Sequence, residues 1–491
     1  MSHESTAVKQ AQEDVMSSPT ARIVLGLNAT LSARSRQDWA ANGPVILFRA
    51  GKKVAFRSLP AGTRRVLELL VQGDLDEDEL LAAAGGTAAA AGFLQFVARM
   101  GLVHRTSLVG GEAQLRVVPT SDRGVEPVAP APGTRYVLSR FAHLRREGGE
   151  LIAETPLAPF RAHVLAAPAG SLLASLGRPR RADELAEELP ARLRPAIDGL
   201  LGLLLSAGLV DACPAGAPQP EEPAALRQWE FHDLLFHVRS RLGRHDYPLG
   251  QSFRFRGELP PQPGRRAAFA GSPIVLARPD LAEAARHDPP LTAVLEGRRS
   301  LREYGPEPVT LAQLGEFLYR SAGVRKEVQA DGERYWYDTS QRPSPGGGGC
   351  YELEIYPIVQ ECAGLAAGIY HYDAFEHRLE VLPDRAQLRE QIFACAELCN
   401  GARRRPPLLL AITARFQRVA WKYEGMAYAT ILKNVGALYQ TMYLVGTAMR
   451  LAPCAMGMGF TSTLWDAEAN AGEPFWVESP VGEFMLGPRA A

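Results

Sequence analysis

Two stretches of the chain, 96–103 and 203–210, share a pattern that limits how its first half can fold. Both are apolar segments that end in Gly-Leu-Val, reading FVARMGLV and LLLSAGLV. Each lies downstream of an Asp-Glu-Leu triplet, at 78–80 and 183–185, where a helix is expected to begin. Self-similarity of this kind indicates one structural unit present twice. The first half is therefore predicted to contain two copies of a small module.

The content of the two modules follows from hydrophobic periodicity and turn residues. In both, short β-prone runs around a glycine-containing turn predict a hairpin, and apolar residues at helical spacing predict three helices. The hairpins are expected at 45–56 and 136–153, and the helices at 63–71, 76–84, 92–100, 169–176, 182–189 and 195–207. This order of elements is typical of winged-helix-like modules, which we place at 21–125 and 130–213, after a disordered tail at 1–20.

Three functions are open for these modules. DNA binding is disfavoured because the expected helices begin with acidic residues, as at 74–79, whereas a helix that reads DNA needs basic side chains. The modules could instead only brace a larger domain. A third possibility is peptide capture, in which an extended strand is added to the edge of a hairpin.

Composition describes an ordinary globular protein without a broad electrostatic field. Of 491 residues, 46% are hydrophobic, and 54 basic side chains balance 54 acidic ones. The zero net charge disfavours nucleic acid or a membrane surface as a partner. No signal peptide or apolar run long enough to span a membrane is visible, so we expect a cytoplasmic protein. The six cysteines lack the spacing of a zinc site, and no metal is predicted.

A proline-rich segment at 214–225 is predicted to be a linker, and 226–491 a larger domain with mixed helices and strands. Its expected elements include a buried strand at 408–413, read from an unbroken apolar run. A helix is expected at 311–321, with Thr310 as its N-cap. The fold class predicted for the whole chain is therefore α+β.

A short cationic stretch in this domain suits a phosphate. Its guanidinium and hydroxyl groups form a cluster of fixed hydrogen-bond donors, although a solvated basic turn would have the same composition. A cation near the end of the chain could join it. The predicted phosphate ligands are Arg298, Arg299, Ser300, Arg302 and Arg489.

Two glycine-rich segments could lie close to a bound cofactor, because glycine has no Cβ to hold another group at a distance. A strand pattern follows the first, which ties that loop to a sheet. The first segment contains Pro343, Ser344, Pro345, Gly346 and Gly347, and the second contains Ala455, Met456, Gly457, Met458 and Gly459.

Lys422 and Tyr423 are the candidate catalytic residues. They lie where a long helix is expected to begin, and an ordinary helix surface could carry the same pair. A partly desolvated lysine, however, has a lowered pKa and can abstract a proton, which a neighbouring tyrosine can share.

Residues from about Trp229 to the C-terminus resemble the SagB-type dehydrogenases of the nitroreductase superfamily. The resemblance is carried by Trp229-Glu-Phe-His-Asp, Arg298-Arg-Ser-Leu-Arg302, Pro343-Ser-Pro-Gly-Gly347, Lys422-Tyr423 and the loop at 454–459. The two preceding modules are similar to PqqD-like leader-recognition domains, as in cyanobactin oxidases. Cys350-Tyr351-Glu352 departs from the family, which has a Tyr-Pro pair there.

The resemblance implies an FMN-dependent azoline oxidase that forms a homodimer, with FMN bound at the interface between the two subunits. Lys422, with Tyr423, would remove a Cα proton from a thiazoline or oxazoline of a ribosomal precursor peptide, hydride would pass to FMN, and dioxygen would reoxidise the flavin. The arginines and Ser300 would hold the phosphate, and the two glycine-rich segments would line the rest of FMN. A cyclodehydratase of the same pathway would be a further partner. An NAD(P)H-dependent flavin reductase and a non-catalytic peptide-binding scaffold remain alternatives.

Overall fold

A computed structural model of the chain describes residues 20–28, 30–31, 45–49, 52–56, 58–73, 75–126, 128–214, 217, 220–383, 385–399, 404–457 and 474–490. The chain divides into two compact units, Met1–Tyr247 and Pro248–Ala491, which are taken separately below. Among these residues, no helix combines the length and the apolar character needed to cross a membrane.

The first unit contains two runs of strands and helices in the same order. Its first run consists of β1 (Ala21–Leu27), β2 (Thr30–Leu31), β3 (Val45–Arg49), β4 (Lys52–Phe56), α1 (Ala61–Gln72), α2 (Glu77–Ala83), α3 (Ala88–Arg99), β5 (Val103–Val109) and β6 (Glu112–Pro119). Its second run consists of β7 (Arg135–Leu138), β8 (His143–Glu147), β9 (Glu150–Glu154), β10 (Phe160–Val164), α4 (Ala167–Ser175), α5 (Ala182–Glu188), a 3₁₀ turn (Ala191–Ala196), α6 (Ile197–Ser206) and β11 (Val210–Cys213).

The duplication inferred from sequence has a structural counterpart. In both runs the strand after the third helix pairs antiparallel with the strand that begins the run, β5 with β1 and β11 with β7. The third helix of each run is followed, one residue after its C-cap, by a left-handed glycine, Gly101 in one run and Gly208 in the other, with φ of 69° and 65°. In each case the amide of the following leucine donates over 3.0 Å to a carbonyl five residues earlier, which is a Schellman cap.

Sheet pairing in this unit departs from the sequence prediction at two points. The first strand of the hairpin expected at 136–153 is divided into β7 and β8, because the amide of Ala142 donates to the carbonyl of Ser139 over 2.9 Å and forms a turn. Strands β6 and β10, which were not predicted, pair with each other. They join the two runs into one six-stranded sheet, in the order β1-β5-β6-β10-β9-β8.

The segment after the proline-rich stretch belongs to the first unit. Helix α7 (Phe231–Arg239) buries Leu234 and Val238 against Phe141. Further on, the hydroxyl of Tyr247 donates to Glu154 over 2.9 Å. The contacts therefore divide the chain after Tyr247, whereas the sequence analysis placed the boundary at 214–225.

The second unit is built on a seven-stranded antiparallel sheet in the order β13-β18-β17-β16-β19-β22-β21. Its strands are β12 (Gly250–Gln251), β13 (Ile274–Val275), β14 (Lys326–Val328), β15 (Thr339–Gln341), β16 (Leu353–Val359), β17 (Gly368–Asp373), β18 (Arg378–Val381), β19 (Leu408–Arg415), β20 (Tyr423–Glu424), β21 (Leu451–Ala455) and β22 (Glu478–Pro488). Its helices are α8 (Leu281–His287), α9 (Leu291–Gly297), α10 (Leu311–Ala322), α11 (Ala386–Cys399), α12 (Phe416–Ala420) and α13 (Ala427–Ala448).

Strand β19 shows how this sheet is covered on both faces. All of its residues are buried, as the unbroken apolar run predicted. Leu408, Leu410 and Ile412 pack with α10 and α13 on one face, and Leu409 and Ala411 pack with α11 on the other. This alternation follows from the two-residue period of a strand. The sheet with its helices forms an α+β layered domain, and α13 supplies two side chains, Asn434 and Tyr443, that contact the candidate site segments.

Candidate functional site

Lys422 lies between two short elements, not within a long helix as the sequence predicted. Helix α12 ends at Ala420, and β20 pairs with β12. Gly425 then adopts a left-handed φ of 70°, and α13 begins only at Ala427. The prediction of a helix opening at Trp421 is therefore wrong, because strand pairing and a left-handed turn separate this segment from α13.

The Lys422 ammonium is buried and held from two sides. Nζ donates to the hydroxyl of Tyr337 over 2.5 Å and to the carbonyl oxygen of Gly348 over 3.2 Å. The residue is only 8% exposed. Burial lowers the pKa of Lys422 below its usual value, against a smaller opposing effect of the Cys350 thiol. A lowered pKa makes the neutral amine more accessible to Lys422 than to an exposed lysine.

The glycine-rich loop reaches both candidate catalytic residues at Gly348. This residue has a φ of 65°. A Cβ added to it would lie 2.5 Å from Nζ of Lys422 and 2.6 Å from the hydroxyl of Tyr423. The left-handed backbone angle therefore favours glycine here, and a larger residue would also displace the ends of these two side chains. The structure thus brings the loop and the Lys-Tyr pair together, although sequence did not single out Gly348.

The residues of this loop that were predicted to bind a cofactor differ in exposure. Ser344 is buried, Pro343 and Pro345 are exposed, and Gly346 and Gly347 are intermediate. The amide of Gly347 donates over 2.9 Å to Oδ1 of Asn434, on α13.

An aromatic cluster surrounds Lys422. The ring of Phe253 lies edge-on to Trp336, with centroids 4.6 Å apart, and to Trp421, with centroids 5.6 Å apart. Phe253 has a φ of 50°, which is strained for a bulky residue. Nζ of Lys422 lies 5.9 Å from its ring centroid. Sequence reasoning missed Tyr337 and Phe253, because nothing local to either residue indicates that it meets Lys422.

The cationic stretch, which contains most of the predicted phosphate ligands, meets the second glycine-rich segment at Tyr443. Tyr443 is on α13, nine residues after Asn434. The hydroxyls of Ser300 and Tyr443 lie 2.8 Å apart, and the amide of Ala455 donates to the Tyr443 hydroxyl over 2.8 Å. The amide of Leu301 donates to the carbonyl of Pro453 over 3.1 Å. Tyr443 therefore links the cationic stretch to the end of β21.

The C-terminal strand reaches the same place. Tyr304 forms a β-bridge with Arg489, and the amide of Gly305 donates to the carbonyl of Pro488 over 3.0 Å. Within the described part of the chain, no ion pair joins the guanidinium of Arg298, Arg302 or Arg489 to a carboxylate. Guanidinium groups without a carboxylate partner among the described residues, together with the hydroxyl of Ser300, are donors that suit an anionic group.

Arg299 and Met456 contact backbone groups of the chain itself, and two other predicted ligands lie outside the described residues. The exposed side chain of Arg299 turns back and donates over 2.7 and 2.8 Å to the carbonyls of Glu296 and Arg298. Met456 follows β21, and its amide donates to the carbonyl of Glu483 over 2.9 Å. Gly457 is the last described residue of its segment, so Met458 and Gly459 lie outside the described residues.

Comparisons with known proteins agree with the resemblance inferred from sequence. Residues 136–246 match the profile of the cyanobactin oxidase ThcOx, and residues 295–468 match the profile of the nitroreductase family. The chain is thus an oxidoreductase with a nitroreductase-like α+β domain, which confirms the predicted fold class and relationship. The winged-helix character of the two modules stays a prediction.

Individual relatives cover different shares of the chain. A Methanocaldococcus jannaschii protein named as a nitroreductase, MJ1384, is 28% identical over 195 residues, which is 38% of this chain and 85% of the relative. The trifolitoxin-processing protein TfxB of Rhizobium leguminosarum bv. trifolii is 27% identical over 150 residues, 29% of this chain and 38% of TfxB. Among solved structures, the E. coli microcin synthetase McbBCD complex with truncated pro-MccB17 bound aligns at 16% identity and a TM-score of 0.32, covering 55% of this chain and 95% of that chain.

Proposed function

We propose that the chain is an FMN-dependent dehydrogenase that oxidises thiazoline or oxazoline rings of a ribosomal peptide to thiazoles or oxazoles. The observation that carries the proposal is the buried Lys422 ammonium, which lies against Gly348 of the glycine-rich loop and beside Tyr423. A proton acceptor and a loop suited to close approach of a flat ring occur together there. The cyanobactin-oxidase profile and the peptide-processing name of TfxB support a peptide substrate.

The donor set around Tyr443 fits the phosphate of FMN. Arg298, Arg302 and Arg489 supply charge without a carboxylate partner among the described residues, and Ser300 adds a hydroxyl. The guanidinium of Arg298 lies over the ring of Tyr443, 5.1 Å from the ring centroid. This contact orients the cation. Bound FMN would accept the hydride and pass the electrons on to dioxygen.

In the proposed reaction, Lys422 acts on the ring carbon next to the peptide carbonyl. Neutral Nζ takes the Cα proton, and the hydride leaves the adjacent ring carbon, so that one C–H electron pair stays to form the new double bond. Tyr337 holds Nζ in place, since their hydrogen bond fixes the direction of the amine. The hydroxyl of Tyr423 is the second group near Gly348 and shares the proton.

We further propose that two copies of the chain assemble the site. Asn434, which holds the glycine-rich loop, and Tyr443, which holds the cationic stretch, are both on α13. Nine residues of helix rotate by about 900°, or two and a half turns, so the two side chains leave roughly opposite sides of α13. One flavin then contacts the loop of one copy and the arginines of the other. Sedimentation that finds a stable flavin-loaded monomer would contradict this.

The two N-terminal modules are proposed to capture the leader of the precursor peptide, with a cyclodehydratase of the same pathway as a further partner. A non-catalytic scaffold would bind peptide but contain no flavin. An NAD(P)H-dependent flavin reductase is the second candidate, favoured by the nitroreductase-family match alone.

One experiment separates these functions. Purified protein is inspected for flavin absorbance and then mixed, without oxygen, with an azoline-containing peptide or with NADPH. The proposal predicts that the flavin bands bleach with the peptide. Bleaching with NADPH alone identifies the reductase, and absence of flavin bands even after FMN is added identifies the scaffold.

A further inference from the structure

Glu352 is a buried acid that the proposed reaction does not use. It lies between the glycine-rich loop and β16 and is fully buried. Its Oε1 accepts a hydrogen bond from Nδ2 of Asn434 over 2.8 Å. Its Oε2 is buried and makes no hydrogen bond to any described residue. An unpaired buried carboxyl oxygen is costly, so its retention calls for an explanation.

Glu352 lines a small cavity between the loop and α13. The cavity has a volume of about 20 Å³, and its lining also includes Arg342, Ser344, Gly346 and Asn434. The cavity is therefore bordered on one side by the loop that meets Lys422 and on the other by the buried acid.

Hydrogen bonds connect Glu352 and Lys422 through the backbone of Gly347 and Gly348. Asn434 donates to Glu352 and accepts from the amide of Gly347 over 2.9 Å. The carbonyl of the following residue, Gly348, accepts from Lys422 over 3.2 Å and from Tyr337 over 2.5 Å. The Gly347–Gly348 unit is thus held at its N–H by Asn434 and at its C=O by Lys422 and Tyr337.

The orientation of Asn434 depends on Glu352. A side-chain amide can be turned either way, with its oxygen or its nitrogen towards Gly347. The backbone amide of Gly347 requires the oxygen, and the nitrogen must then find an acceptor on the other side. Glu352 supplies that acceptor in the interior.

The carboxyl group of Glu352 is buried without an ion-pair partner among the described residues. Burial raises the pKa of Glu352, against the smaller opposing effects of its hydrogen bonds and of the Arg418 and Arg342 charges. Arg418 does not form an ion pair with it, because its guanidinium donates to the carbonyls of Cys350, Gln262 and Asp338 over 2.6–2.7 Å. A glutamine keeps an acceptor oxygen on a side chain of nearly the same shape, so it can still accept from Asn434.

From these contacts we propose that Glu352 is a positioning residue. By fixing the amide of Asn434, it holds the Gly347–Gly348 unit in the conformation that presents the Gly348 carbonyl to Lys422. The identity of the reaction at Lys422 rests on the proposed function, whereas the hydrogen-bond relay does not.

The test uses hydrogen–deuterium exchange of the full chain without added flavin, followed in a peptide that contains Gly347. Glu352→Leu removes the acceptor and should accelerate exchange roughly ten-fold or more, the equivalent of one lost buried hydrogen bond. Glu352→Gln keeps an acceptor oxygen and should exchange like the wild type. Glu361→Gln, at an exposed position, is the matched control.

Several outcomes would overturn the proposal that Glu352 positions Gly347 and Gly348 through Asn434. Wild-type exchange in Glu352→Leu would do so, and so would fast exchange in Glu352→Gln, since the glutamine can still accept from Asn434. If Glu352→Leu does not fold, Asn434→Ala takes its place, because it removes the acceptor of the Gly347 amide directly. Wild-type exchange in that variant also overturns the proposal. Because none of these measurements needs flavin or peptide substrate, their failure is distinct from a failure of the proposed reaction.

Discussion

Nζ of Lys422 donates to the hydroxyl of Tyr337 over 2.5 Å across a sequence separation of 85 residues. Tyr337 in turn donates to the carbonyl of Gly348 over 2.5 Å. The hydroxyl of Tyr337 therefore connects the candidate base to the glycine-rich loop. A single hydroxyl serves both contacts, so its removal affects the direction of the amine and the anchoring of the loop together.

We expect Tyr337→Phe to lower turnover per bound flavin roughly ten-fold, which corresponds to the loss of about one hydrogen bond that orients Lys422. The phenylalanine retains the packing against Trp421, so the melting temperature should change little. Tyr335→Phe, two residues away, is the control. Equal turnover in Tyr337→Phe and wild type would remove Tyr337 from the site.

The lowered pKa of Lys422 gives the rate a defined pH dependence. A base acts only when it is deprotonated, so turnover should rise with pH, reach half of its maximum at the pKa of Lys422 and level off above it. Because burial lowers that pKa, the half-maximal rate should come below pH 10.5, the ordinary value for lysine. The measurement is turnover across pH at saturating peptide. A rate that falls over the same range would contradict the assignment of Lys422 as the base.

Arg302→Ala should weaken FMN binding. A charge-assisted hydrogen bond to phosphate contributes about 2 kcal/mol, so the dissociation constant should rise roughly thirty-fold. Arg299→Ala is the matched variant, because the Arg299 side chain turns back to carbonyls of its own segment. Titration of flavin-free protein with FMN measures both. If Arg299→Ala loses more affinity for FMN than Arg302→Ala, the proposed roles of the two arginines in phosphate binding are wrong.

His371 should make the stability of the second unit depend on pH. Burial lowers the pKa of His371, but hydrogen bonds with Glu354 and Glu380 and their charges outweigh burial and raise the pKa from 6.5 to about 9. Protonated His371 thus stabilises the folded state, fully below pH 6.5, and this contribution is lost as pH rises through about 9. Its size is on the order of 3 kcal/mol.

Thermal unfolding between pH 6 and pH 10 measures this contribution. The wild type should lose stability across that range, and His371→Gln should be less stable at the acidic end and show a flatter profile. His287→Gln is the control, because His287 also faces a glutamate but is largely exposed. Parallel profiles for His371→Gln and wild type would contradict the assignment.

Local sequence signals predicted those parts of the fold that depend on neighbours along the chain. Thr310 caps α10 as expected, and the apolar run of β19 is buried throughout. The pairing of β6 with β10 was not predictable in this way, since neither strand signals its partner. The helix expected at Lys422 failed for a related reason, because the pairing of β20 with β12 outweighs local helical periodicity.

The residues of the candidate site also differ in whether neighbours along the chain could reveal them. The family resemblance, together with residue type, singled out Lys422, Tyr423 and the loop as candidates, whereas a lysine-tyrosine pair or clustered glycines alone are weak signals. Tyr337 and Asn434 contact the same site but are common residue types without a local pattern. Long-range side-chain contacts of this kind are visible only in three dimensions.

The central claim is that Lys422 is the base in azoline oxidation, and the most direct measurement is the turnover of Lys422→Ala normalised to its flavin content. A positioned base contributes about 10²–10⁴-fold to the rate. We expect a loss of that size with FMN content unchanged, since Lys422 is remote in sequence from the cationic stretch that holds the phosphate in our proposal. Lys422→Arg, which keeps the charge but cannot deprotonate, should be equally impaired. Near wild-type turnover per bound flavin in Lys422→Ala would contradict the mechanism.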